Sequence, residues 1–187
     1  MLPDFARRAD LDEQMEDPSL SDQRLNETTD AIERVSRLTG GMRASVRGLE
    51  RLVDRGMRRI TILDVGTGNG AIPREFASWG RRNAIEVEVL GIDVLDSAVE
   101  HARRESRGQP GLTYRAADLF EMDPDEQRFD VVHASLVLHH FDGDEAVEAL
   151  EKMTALSRLG VVVNDLHRHP LHWLSSKVVI PLVTENE

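Results

Sequence analysis

Ile60-Thr61-Ile62-Leu63-Asp64-Val65-Gly66-Thr67-Gly68-Asn69-Gly70 reads as a short apolar strand, an acid near its end, and three glycines at alternate positions. Glycines spaced this way let the backbone turn sharply and come close to a ligand, since no Cβ intervenes. A second apolar run, residues 85–92, ends in Asp93, and a third segment, 112–117, ends in Asp118. Three strands that each deliver a carboxylate to the same sheet edge describe a nucleoside pocket with several polar anchors. Taken alone the glycines are equally an ordinary turn. The strand before them and the helix-compatible segment after them favour the ligand loop.

Strand and helix patterns alternate outward from this loop. Strands are predicted at 60–65, 85–92, 112–114, 129–134 and 159–164, with helices at 71–79, 96–107 and 143–157. The strand cores are apolar nearly throughout, as in a parallel sheet covered on both faces. Asp96 is a candidate cap for the second of these helices, and Asp142 or Asp144 for the last. Upstream, Ile32, Val35, Leu38 and Met42, then Val46, Leu49 and Val53, recur at helical spacing, with a break at Gly40-Gly41. The expected organisation is a charged arm and helical lid over 1–55 and an α/β core over 56–187.

Composition narrows the function classes. The chain has 187 residues and a formal net charge of -11, which suits one domain and disfavours a surface built for nucleic-acid phosphates. With no cysteine, thiolate nucleophiles, disulfides and cysteine-ligated metal are excluded. Met1-Leu2-Pro3-Asp4 lacks the features of a signal peptide, and the longest late apolar run, 178–183, is too short to span a bilayer. A soluble, cytoplasmic protein is the expectation.

The acids select between cofactors. Asp64 stands two residues before the first glycine, where it would repel a dinucleotide pyrophosphate. S-adenosylmethionine has no phosphate, and its ammonium and sulfonium suit an acidic strand end. Asp93 is placed to accept both ribose hydroxyls in a fork, or alternatively to cap a helix. Asp118 is placed to accept from the adenine amine, with Ala117 and Leu119 lining the ring, or alternatively to form a surface turn.

Residues 60–165 resemble the core of the class I S-adenosylmethionine-dependent methyltransferases, in particular small bacterial enzymes of the ubiquinone/menaquinone-biosynthesis-like or polyketide-associated kind. The motifs are 63–70, Gly91-Ile92-Asp93-Val94, Ala116-Ala117-Asp118-Leu119, and Phe129-Asp130-Val131-Val132-His133-Ala134-Ser135 followed by Leu138-His139-His140-Phe141. The resemblance implies a Rossmann-like, mostly parallel sheet with N-terminal helices. It implies that Asp64 and the loop Gly66, Thr67, Gly68 and Asn69 hold the amino-acid end of the cofactor. Asp93 and Val94 would serve the ribose, Asp118 the adenine, and Ser135 and Leu136 the methionine portion. The family's fifth strand is often introduced by Pro-Gly-Gly; here Ser157-Arg158-Leu159-Gly160 stands there, read as a changed turn. The final antiparallel strands are not evident before Glu187, where one helix over 171–183 is expected instead. A fragment or a shortened variant would leave a sheet edge open to a second copy, so a homo-oligomer is one expectation.

Several residues carry secondary readings. His139 and His140 follow the fourth strand and are candidate bases for deprotonating an acceptor, with wall packing as the alternative. His167, His169 and Trp173 read as a substrate rim rather than a metal site, since no glutamate-containing zinc motif accompanies them. Arg43 is a candidate partner for the cofactor carboxylate, or plain helix surface. The function expected is methyl transfer to a small, mostly apolar acceptor, phenolic, quinone-like or polyketide-like. A noncatalytic cofactor-binding protein and an NAD-dependent oxidoreductase are the competing readings.

Overall fold

The computed structural model describes residues 22–165 except Arg55, with backbone only for residues 22–28 and Ile32. The elements run α1 Asp22–Thr39, α2 Gly41–Leu52, β1 Arg59–Val65, α3 Ala71–Asn83, β2 Glu86–Asp93, α4 Asp96–Glu105, β3 Leu112–Ala116, β4 Phe129–Ser135, a 3-10 turn Leu138–His140, α5 Gly143–Leu156 and β5 Ser157–Asn164. The five strands lie in the order β3-β2-β1-β4-β5, and every pairing is parallel. The order reverses direction beside β1, which is where an open α/β sheet presents its ligand crevice.

Alternation along the strands splits the core into two layers. Ile60 and Ile62 of β1 join Val131, Val162, Phe76, Trp79 and Leu49 beneath α2 and α3. Leu63 and Val65 face the other way, with Ile92, Val132, Ala134 and Met153, under α5. Between α1 and α2 the chain bends at Gly40, whose φ of 87° is left-handed, so the predicted break is real.

Three local expectations are corrected. Helix α3 does not stop at Trp79 but runs to Asn83. A Cβ on Gly80 would sit 2.4 Å from Val87 Cγ2, so this glycine permits close helix–strand approach instead of ending the helix. Asp96 is the first residue of α4 and not its cap; Leu95 occupies the cap position. Ser157-Arg158-Leu159-Gly160 is not a turn. It is the start of β5, paired to β4 across a register shift between Phe129 and Val131.

The charged arm at 1–20, the expected helix at 171–183, the edge beyond β5, and His167, His169 and Trp173 lie outside the described residues. Among the described residues, no helix is long and apolar enough to cross a membrane.

Candidate functional site

The glycine loop leaves β1 and enters α3 through three left-handed residues, Gly66, Gly68 and Gly70, with φ of 63°, 52° and 75°. Side chains rarely adopt that conformation, which is the physical demand behind the spacing. The loop is stitched to the end of β2. Thr67 N–H donates to Ile92 O at 2.9 Å, and Gly68 N–H donates to Asp93 Oδ2 at 3.0 Å.

Asp93 also accepts from Leu95 N–H through Oδ1 at 3.1 Å. A carboxylate offers about four lone-pair sites, so these two bonds leave acceptor capacity on both oxygens. Burial pushes the Asp93 carboxyl above its ordinary range, the neighbouring charge of Asp64 adds to that, and the backbone N–H groups of Gly68, Leu95 and Val94 oppose it. Next to it, Ala117 N–H donates to Asp93 O at 3.0 Å, which brings the ends of β2 and β3 together. Asp118 Oδ1 accepts from Phe120 N–H at 2.9 Å, the turn geometry of its alternative reading, while the side chain stays half-buried. Leu119 is buried with the α5-side core, and Val94 is exposed.

Asp64 is different. It is 2% exposed, and both oxygens are engaged inside the protein. Thr67 O–H donates to Oδ2 at 2.8 Å, and His133 Nδ1 lies 2.6 Å from Oδ1. Asp64 therefore acts on the loop from beneath and presents no oxygen to solvent. His133 was read only as part of a strand. It stands opposite Asp64 in the β1–β4 register, fully buried, with its Nε2 2.9 Å from Ser45 Oγ of α2.

Asn69 is also committed to the protein. Its Nδ2 donates to Asp30 Oδ1 at 2.9 Å and Glu33 Oε2 at 2.8 Å, both on α1, and its Oδ1 accepts from Ala71 N–H. Arg74 closes the cluster by donating to Glu33 at 3.0 Å and to Asn69 O at 2.6 Å. Asp30 further meets His101 Nε2 of α4 at 3.0 Å. Helix α1 is thus held against the glycine loop by polar contacts that the apolar periodicity did not reveal.

Beyond β4, Leu136 takes a left-handed φ of 57° and donates its N–H to Asn164 O at 2.9 Å. Ser135 Oγ accepts from Asn164 Nδ2 at 3.2 Å. His139 Nδ1 lies 2.6 Å from Asp165 Oδ1, and its backbone N–H donates to Asp165 Oδ2 at 3.2 Å. The Asp165 carboxylate thus orients the His139 ring through Nδ1. His140 is exposed and stacks in a tilted arrangement on His139, ring centroids 4.3 Å apart. Asp165 is a site residue that the motifs do not mark; its place one residue past β5 is the available signal. Arg43 is not gathered with these groups. It lines an outer cleft between α2 and α3 with Arg37, Arg47 and Arg82.

A family model described as a methyltransferase domain matches residues 62–160. The chain is similar to the mitochondrial ubiquinone biosynthesis O-methyltransferase of Candida albicans, 28% identical over 118 residues, 63% of this chain and 36% of that protein. It thus spans about a third of the length of that relative. The fold is similar to that of the plantazolicin methyltransferase BpumL, solved in complex with SAH, at a TM-score of 0.58 and 19% identity over 76% of this chain and 51% of that one. It is also similar to the [4+2]-cyclase SpnF, at a TM-score of 0.50 and 25% identity over 63% of this chain and 41% of that one.

Proposed function

The chain belongs to the methyltransferase-domain family, and we propose that it binds S-adenosylmethionine and transfers its methyl group to a small, mostly apolar acceptor. The observation that carries this reading is the joining of the glycine loop to Asp93, with Ala117, the neighbour of Asp118, bonded in turn to Asp93 O at the same sheet edge. The donor set fits the group. Open lone pairs on Asp93 suit the ribose hydroxyls, Asp118 suits the adenine amine, and buried Asp64 places negative charge under a cationic ligand. Among the described residues, a Cβ on Gly68 would meet only Thr29 Cγ2, at 3.8 Å. Arg74, whose guanidinium bonds the loop at Asn69 O, is also taken by Glu33, which disfavours a pyrophosphate.

The cofactor supplies an activated methyl on a sulfonium, so the protein has to align, desolvate and manage protons. In this reading Ser135 and Leu136 border the methionine portion. His139, oriented by Asp165, receives the acceptor's proton, and exposed His140 forms the wall beside it. A phenolic, quinone-like or polyketide-like hydroxyl fits that role, and the ubiquinone-pathway relative supports the class. The test is incubation with S-adenosylmethionine and a panel of phenols and hydroquinones, read by mass spectrometry. The mass gain of one methyl on an acceptor supports the proposal. Methylation of RNA or protein with no turnover across the panel contradicts the acceptor class.

The likeness to a [4+2]-cyclase favours a second reading, in which the same site binds the cofactor without transferring its methyl. That reading predicts adenosylhomocysteine binding with no mass gain in any acceptor.

A further inference from the structure

Ser45, His133 and Asp64 form a line: Ser45 Oγ to Nε2 at 2.9 Å, and Nδ1 to Asp64 Oδ1 at 2.6 Å. That connectivity resembles a hydrolytic triad. Yet Ser45 and His133 are 0% exposed and Asp64 2%, so no substrate reaches the hydroxyl. The edge of Phe76 packs on the imidazole, with centroids 5.1 Å apart and planes at 88°. The ring is fixed at both nitrogens and by this packing.

The hydrogens along the line are determined by their neighbours. Asp64 accepts, so Nδ1 carries the ring hydrogen, and in the neutral imidazole Nε2 accepts from Ser45 O–H. Nδ1–H then donates to Asp64, whose other oxygen accepts from Thr67 O–H. Every polar atom in this chain has a partner with His133 neutral and Asp64 a carboxylate. At its far end Asn164 Nδ2, with two hydrogens, faces three acceptors: Gly41 O at 3.0 Å, Ser45 Oγ at 3.2 Å and Ser135 Oγ at 3.2 Å. One buried chain therefore runs from the glycine loop, through β1 and β4, to the start of α2 and the end of β5.

We infer that His133 is a positioning residue: it holds Asp64 in one orientation beneath the glycine loop and ties that loop to helix α2 and the acceptor side of the sheet. The inference rests on the cofactor reading above. Its consequence is that loop geometry, the buried charge under the cofactor, and the seating of α2 depend on one imidazole. An apolar ring of similar size would fill the space and leave Asp64 a buried acceptor short of a donor.

Three substitutions separate positioning from packing. In His133→Asn the amide nitrogen can stand near Nδ1 and donate to Asp64. In His133→Gln it stands near Nε2 and serves Ser45 instead. His133→Phe keeps bulk and removes both. Calorimetry with adenosylhomocysteine is expected to show His133→Phe and His133→Gln weakened roughly tenfold to a hundredfold, the scale of a hydrogen bond to a charged group. His133→Asn is expected to stay within a few-fold of the parent. Equal affinities for the Asn and Gln variants, or a Phe variant that binds like the parent, would overturn the inference. A parent that binds no adenosylhomocysteine defeats the cofactor reading, and this inference with it. Nitrogen NMR of the unaltered protein keeps the test open if the variants fail to fold. A neutral ring with its proton on Nδ1, shifting as adenosylhomocysteine saturates, is expected. A proton on Nε2, or no response to the ligand, contradicts the role.

Discussion

Asp93 carries a burial penalty that a ligand can relieve. Its carboxyl lies above its ordinary range in the folded protein, mainly through burial. A raised carboxyl contributes stability that is fully present below the unfolded value and lost as pH rises through the folded one. At neutral pH the ionised group therefore costs the free protein stability. Asp93→Asn removes the charge but offers one oxygen to two backbone N–H donors, so it should leave the melting temperature at neutral pH close to the parent's while weakening adenosylhomocysteine roughly tenfold to a hundredfold. In the parent, affinity should fall as pH drops through the Asp93 value, since a protonated carboxyl loses acceptor capacity for ribose hydroxyls. Paired melting and calorimetry across pH checks both signs. Lower stability at neutral pH together with parent-like affinity would remove Asp93 from the site. His139 makes a separate prediction. His139→Gln should lower turnover by about 10²–10⁴-fold, with cofactor affinity nearly unchanged. The loss should shrink for acceptors already ionised at the assay pH, as kinetics on a phenol series would show. At this scale the glycines and strand-end acids were legible because their chemistry is local to the sequence. The engagement of Asp64 was not, because it depends on a histidine on another strand. The available signal was an acid and a histidine set among the apolar residues of two predicted strands, where a buried charge needs a partner.

Helix α1 owes its place to polar contacts. Glu33 receives Asn69, Arg74 and Arg37, and Asp30 receives Asn69 and meets His101. Arg74 and Glu33 are 14% and 17% exposed, so their pair is shielded enough to contribute. Glu33→Ala should cost about 1–3 kcal/mol locally, because it strands donors of Asn69 and Arg74. Hydrogen exchange should quicken in α1 and the glycine loop while the β1 and β4 amides stay protected. Uniform exchange across the sheet would instead make α1 part of the global fold. Helix α2 is bound differently, with Leu49 in the core under the sheet and Ser45 in the buried hydrogen-bond chain. Apolar spacing read both helices and the break at Gly40, since the pattern changes phase there. It could not read which side chains fasten α1, because contacts over 36 and 71 residues leave no periodic trace. Of the two readings of Arg43, cofactor partner or helix surface, spacing alone could not choose; the residue lines the α2–α3 cleft.

Across the whole molecule, five parallel strands bring the acids of β1, β2 and β3 to one edge, with His139 and Asp165 just beyond β4 and β5. A parallel sheet was legible in the alternating strand and helix patterns, because parallel crossovers need intervening helices, while the order β3-β2-β1-β4-β5 was not, because alternation does not say which strands pair. The element ends were less legible where packing, as at Gly80, overrode a local signal. The molecule as drawn concentrates carboxylates where the proposed ligand carries positive charge and hydroxyls, and that selectivity can be measured without knowing the acceptor. Isothermal titration of the unaltered chain with adenosylhomocysteine and, separately, with NAD tests it most directly. Saturable one-site binding of adenosylhomocysteine, with NAD weaker by at least an order of magnitude, is the predicted result. Saturable NAD binding with no response to adenosylhomocysteine would contradict it.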